Sequence, residues 1–155
     1  EELWPLVAAP EPDYFAVLCG CAAYKAAVVS QEEQDAGIRL SLNLGHTVGH
    51  AVERHSGYAV SHGEAVAIGL ATMARAGAAL GWCDSITAER IKTALKRRGL
   101  PLCYRCKPEE LLPYLWADKK RQGEELTVVL PHRIGYCSLR RMKEPQLLRL
   151  LREGL

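Results

Sequence analysis

The segment RLSLNLGHTVGHAVERHSGYAVSHGEAVAIGL, residues 39–70, holds four of the chain's five histidines. His46 and His50 stand four apart in a run with helical apolar spacing, which puts them on one face with Cβ atoms about 6 Å apart. His62 follows a Gly57-Tyr58 turn and opens a second helical run, where it can point back at the first. Three imidazoles, flanked by Asn43 and Glu64, are therefore expected to converge. Each also has a glycine neighbour (Gly45, Gly49, Gly63), a sign that something approaches the backbone closely. The residues alone leave three readings open: hydrogen-bonded core histidines, an anion site, or a metal site. The metal reading is the sharper one, because neutral imidazole suits zinc and a catalytic zinc needs three protein ligands and one open position. The motif is not HExxH, since no glutamate follows His46.

At 155 residues the chain is long enough for one domain with a real core. Twenty basic and eighteen acidic residues leave a formal charge of +2 without a long basic run, so no nucleic-acid partner is expected. No window reads as the roughly 18 uninterrupted apolar residues of a membrane span, and no membrane partner is expected either. The first residues, EELWPLVAAPEPDY, have no basic and apolar leader pattern and no initiating methionine, which suggests a fragment of a cytoplasmic protein. The six cysteines read as reduced thiols. Cys19 and Cys21 are two apart on a helix and face different ways, which weighs against a zinc knuckle with Cys103 and Cys106.

Pro10 and Pro12 end an irregular arm, and Asp13 caps a helix through YFAVLCGCAAYKAAVV. Its buried stripe is expected to be Tyr14, Val17, Leu18, Cys21, Tyr24 and Val28, with Lys25 beside it. A helix over Gly45 to Arg54 follows, then a long one from His62 whose alanines and glycines suit the middle of a bundle and which Gly81 ends. Asp84 or Ser85 caps the next, with Ile86, Ile91 and Leu95 inward and Gly99 as terminator. Pro108 opens a further helix, with Pro113 as a kink. ELTVVL and IGYCSL read as one small hairpin, and EPQLLRLLREGL as a closing amphipathic helix. The expected class is mainly α: a single multi-helix domain over residues 1–155 with a small β-hairpin near the C-terminus.

LNLGHTVGHAVE followed by HGEAVAIGL resembles the C-terminal domain of 3-dehydroquinate synthase, in the sugar-phosphate cyclase superfamily. KAAVVSQEEQDAGIR upstream and DKKRQGEELTVVLPHRIG downstream match the same family in order, from about Lys25 to Gly135. The resemblance implies the dehydroquinate-synthase-like fold and a carbon-oxygen lyase of the shikimate pathway, which makes aromatic amino acids. Its reaction converts 3-deoxy-arabino-heptulosonate 7-phosphate, a phosphorylated sugar acid, to 3-dehydroquinate and phosphate with NAD and Zn2+ or Co2+. It further implies His46 and His62 as metal ligands, in place of the helical pair His46 and His50. His50 with Asn43 would face the substrate phosphate, and Lys119 or Lys120 would complete that site. Lys25 and Arg39 would hold the carboxylate, as a point charge and a guanidinium fork do. Catalytic work would fall to His50, Lys25 and Arg39. Glu64 reads as a helix cap, and His55 and His132 match no family site.

Two departures bear on function. The family's N-terminal NAD-binding domain has no counterpart here, since no glycine-rich strand-turn-helix fingerprint is present. The third zinc ligand, a glutamate, lies upstream of the matched region. Val48, where the family usually has phenylalanine, and Pro113 are smaller differences. The expectation is a fragment of a homodimeric enzyme, inactive by itself. The rival expectations are a cyclase of the deoxy-scyllo-inosose or epi-valiolone type, or a non-catalytic helical interaction module.

Overall fold

In a computed structural model, residues 2–31, 37–117 and 121–155 are described. Seven helices and a three-stranded antiparallel sheet are formed by them. In chain order they are α1 (Trp4–Ala8), α2 (Tyr14–Gln31), a 3-10 turn (Ile38–Asn43), α3 (His46–His55), α4 (His62–Leu80), α5 (Ser85–Arg97) and α6 (Pro108–Trp116). The strands β1 (Arg121–Gln122), β2 (Glu125–Arg133) and β3 (Tyr136–Met142) come next, and α7 (Glu144–Gly154) closes the fold.

Helix α4 is the axis. Its run of small residues lets α3, α5, α7 and β2 all pack on it, and Ala65, Ala71, Ala74 and Ala76 are fully buried. The main core joins Val48, Ala51 and Val52 of α3 to Ile68 and Met73 of α4, Leu111 and Leu115 of α6, Leu126, Val128 and Leu130 of the sheet, and Leu147, Leu150 and Leu151 of α7. Arg75, the one arginine within α4, is held from outside the helix: its Nε donates to the Gly154 carbonyl at 2.6 Å and Nη1 to the Leu102 carbonyl at 2.9 Å, while Nη2 is buried without a hydrogen-bond partner among the described residues. Burial holds its pKa below the usual guanidinium value.

The crossing of α3 and α4 is the tightest contact. A Cβ on Gly69 would lie 2.0 Å from the Gly45 carbonyl oxygen and 2.8 Å from the Gly49 nitrogen. A Cβ on Gly49 would stand 3.0 Å from the Ala65 carbonyl oxygen, and one on Gly45 would stand 2.9 Å from the Leu70 nitrogen. Gly45 also has φ +80, in the left-handed region that glycine tolerates. What approaches the backbone beside His46 and His50 is therefore the other helix. Gly63 differs, with open space where a Cβ would sit.

The helix ends follow their expected caps. Asp13 accepts from the Ala16 N–H at 3.0 Å, and Asp84 from the Thr87 N–H at 2.7 Å. Glu64 accepts from the Ser61 N–H at 3.1 Å and its hydroxyl at 2.6 Å, and the hydroxyl bond is the main reason its pKa falls. Gly81 and Gly99 take left-handed conformations at the ends of α4 and α5.

Other expectations are corrected. The amino-terminal arm is not wholly irregular: α1 forms, with Arg90 5.1 Å from the Trp4 ring centroid and Arg97 and Arg98 donating to carbonyls of Val7 to Pro10. The stripe foreseen on α2 is not buried. Val28 alone is, while Tyr14 is 63% exposed and Leu18 68%, because α2 packs chiefly on α1 and the 3-10 turn. By length and composition α2 is apolar enough to cross a membrane, with Lys25 as its one charge, so the reading that no window approaches a span is also corrected. Ile86 faces outward, and β1 adds a short third strand to the hairpin.

Gly69→Ala is expected to destabilise the chain by about 1–3 kcal/mol, because its methyl meets backbone that cannot rotate away. Thermal unfolding should then fall by several degrees, at about 2–4 °C per kcal/mol for a chain of this size. Gly63→Ala should leave the midpoint unchanged or slightly raised.

Candidate metal and substrate site

His46 is the first residue of α3, His50 lies one turn on, and His62 is the first residue of α4. The glycine crossing sets these elements against each other. Ring centroids are 5.5 Å apart for His46–His50, 5.5 Å for His46–His62 and 5.9 Å for His50–His62. Two imidazoles on one tetrahedral zinc, with Zn–N near 2.05 Å, have centroids roughly 5 Å apart. The expected convergence of the three histidines is thus present, at a spacing close to that of shared ligation.

The hydrogen bonds distinguish the rings. Nδ1 of His46 lies 3.2 Å from the Leu44 carbonyl oxygen. A carbonyl only accepts, so this nitrogen is the donor of the bond. Nδ1 of His62 lies 3.2 Å from both carboxylate oxygens of Glu53, with the same result. Both rings thus have Nδ1 held by an acceptor, an arrangement common among metal-binding histidines. The three imidazoles form a grouping that suits a zinc or cobalt ion. A second grouping overlaps it: donor atoms of His50, Glu53 and His62 all lie within 4.8 Å of one another.

Glu53 was not singled out by the sequence reading. The signal was there, because His46, His50 and Glu53 in HTVGHAVE occupy positions i, i+4 and i+7 of one helix face. It is also more enclosed than its partner, with its side chain 15% exposed against 59% for His62.

The remaining candidates are less concentrated. Arg39 and Asn43 lie on the 3-10 turn that leads directly into α3, and Asn43 lines a small recess with Gly45, Thr47 and Val48. Lys25 is on the exposed part of α2, which packs against that turn. Lys119 and Lys120 lie outside the described residues. His55 and His132 have partners elsewhere: Nδ1 of His55 is 2.9 Å from the Tyr104 hydroxyl, and Nε2 of His132 is 2.7 Å from that of Ser138. Cys19, Cys21, Cys103 and Cys106 are free thiols.

A family model described as 3-dehydroquinate synthase C-terminal matches residues 6–121. Among solved structures, the chain is similar to 2-deoxy-scyllo-inosose synthase complexed with carbaglucose-6-phosphate, NAD+ and Co2+. That match has a TM-score of 0.71 at 24% identity and covers 87% of this chain and 40% of that one. It is also similar to ValA, the 2-epi-5-epi-valiolone synthase from Streptomyces hygroscopicus subsp. jinggangensis 5008 with NAD+ and Zn2+ bound. There the TM-score is 0.79 at 19% identity, over 97% of this chain and 45% of that one. The chain spans less than half the length of these proteins, and at such identities the likeness is one of fold.

Proposed function

The chain belongs to the family of 3-dehydroquinate synthase C-terminal domains, and from that membership we propose that it is the metal- and substrate-holding part of a 3-dehydroquinate synthase. The full enzyme would convert 3-deoxy-arabino-heptulosonate 7-phosphate to 3-dehydroquinate and phosphate, as a cytoplasmic, homodimeric lyase of the shikimate pathway. The observation that supports this best is the convergence of the three imidazoles, with Nδ1 of His46 and of His62 each held by an acceptor.

In this reading Nε2 of His46 and Nε2 of His62 hold a divalent ion, which supplies Lewis-acid polarisation of substrate oxygen when bound. The upstream glutamate of the family lies beyond this chain, so two of the three protein ligands are present. His50 and Asn43, with Lys119 or Lys120, face the phosphate end of the substrate. Lys25 and Arg39 take its carboxylate, Arg39 as a two-pronged donor. Fixing both anionic ends orients the carbon chain between them for ring closure, which is catalysis by positioning. NAD would be bound mainly by a part of the enzyme outside this chain, so residues 1–155 alone would not turn over.

A second reading is favoured by the solved relatives, which are cyclases of the deoxy-inosose and valiolone type. The pair Lys25 and Arg39 argues for the dehydroquinate reading, because a substrate without a carboxylate has no use for it. Comparing the full-length enzyme on the seven-carbon acid phosphate and on a sugar phosphate lacking the carboxylate separates the two. Preference for the latter overturns the dehydroquinate assignment.

The chain alone, given NAD, zinc and the seven-carbon substrate, is expected to show no turnover above a no-protein control. In the full-length enzyme, Arg39→Lys should raise KM about tenfold although charge is kept, since the two-pronged contact is lost; unchanged steady-state constants would remove Arg39 from the site. Metal content by atomic emission should fall to background in His46→Ala and in His62→Ala of the full-length enzyme. His50→Ala should keep its zinc and lose activity, and the reverse pattern would reassign the ligands.

A further inference from the structure

His62 opens α4 with its side chain 59% exposed, so little packing holds the ring. Its partner on α3 is Glu53, whose two carboxylate oxygens both lie 3.2 Å from Nδ1. Glu53 is seven residues beyond His46 on the same helix face, and the Gly69 crossing fixes that face against the start of α4. We propose that Glu53 is the positioning residue of the metal site: its carboxylate accepts the Nδ1 proton of His62 and so leaves Nε2 as the nitrogen through which the ring binds metal. The proposal rests on the reading of His62 as a metal ligand and adds to it the residue that makes His62 one.

The chemistry is that of an imidazole held by an acceptor. A hydrogen bond to carboxylate selects the tautomer with the proton on Nδ1, limits rotation of the ring, and makes the opposite nitrogen a stronger donor. His46 receives the same service from the Leu44 carbonyl, 3.2 Å from its Nδ1. The two helices thus supply the two rings with different acceptors, one from the main chain and one from a side chain. Only the side-chain acceptor can be removed by substitution. Because Glu53 also lies within 4.8 Å of donor atoms on His50 and His62, direct ligation by its carboxylate is the alternative that a test must separate.

The test uses the chain of residues 1–155. Long-range 1H–15N correlation of the histidine rings in the metal-free protein should find His62 with its proton on Nδ1. Glu53→Gln, whose amide oxygen accepts the same bond, should keep that tautomer, and Glu53→Ala should move the proton to Nε2. Titration with Co2+, followed by its visible absorption, should show affinity reduced about 10–100-fold in Glu53→Ala and within a few-fold of wild type in Glu53→Gln. His62 with its proton on Nε2 in the wild-type chain, or a tautomer unmoved in Glu53→Ala, overturns the proposal. So does cobalt binding lost from Glu53→Gln as completely as from His62→Ala, which would make Glu53 a ligand. The tautomer is read without metal, so the Glu53 bond is judged by it alone where a chain with two of the three protein ligands binds cobalt too weakly to titrate. Glu53→Gln, nearly isosteric, keeps the question answerable if Glu53→Ala does not fold.

Discussion

Backbone touching backbone at the crossing of α3 and α4 is the contact on which the rest depends. With a Cβ at Gly69 the Gly45 carbonyl oxygen would be only 2.0 Å away, so no side chain separates the helices there. That closeness places the first turn of α3 beside the early turns of α4, and the first residues of the two helices are His46 and His62. Two histidines at helix starts are ordinarily exposed and independent. Here an interhelical distance set by hydrogen atoms in place of methyl groups brings their rings to 5.5 Å. The same contact buries Val48, Ala51 and Val52 against α4, so site geometry and core packing rest on the same few glycines.

Polar contacts then orient the rings. An imidazole held only by neighbouring imidazoles has no fixed tautomer. The acceptors at Leu44 and Glu53 remove that freedom, each from a different distance along the chain: Leu44 is two residues before its histidine, and Glu53 nine before. The first is local and comes with the Gly45 turn. The second depends on the helix crossing, so a change in the α3–α4 contact would disturb His62 before it disturbed His46.

Much of this was legible in the sequence, and the rest was hidden for physical reasons. Helix boundaries followed Asp13, Gly81, Asp84 and Gly99, because caps and left-handed glycines act within a few residues. The convergence of His46, His50 and His62 followed from their spacing and the intervening turn. The glycines were noticed but read as room for a ligand; that Gly45 and Gly49 serve a helix depends on Gly69, some twenty residues later, which no local pattern connects to them. Glu53 was visible at the i+7 position, yet glutamates on exposed helix faces are common, and only the position of His62 gives this one a role. The failures at α2 have another cause. Periodicity predicts that an apolar stripe will be covered, and says nothing about which part of a protein covers it.

That uncovered stripe bears on the cations. Under the proposed reading Lys25 holds a carboxylate from the exposed part of α2, next to the 56% exposed Tyr24. In water, two unit charges 4 Å apart gain only about 1 kcal/mol, against about 4 kcal/mol near a partly desolvated surface. A lysine so placed holds an anion weakly until water is excluded around it. Apolar side chains such as Leu18 and Tyr24 favour that exclusion, because covering them is itself favourable. Under that reading the metal half lies at the α3–α4 crossing, while Lys25 of the carboxylate half lies on a helix whose own apolar surface is exposed. A surface that covers α2 would therefore add hydrophobic stabilisation and strengthen the grip of Lys25 in the same step.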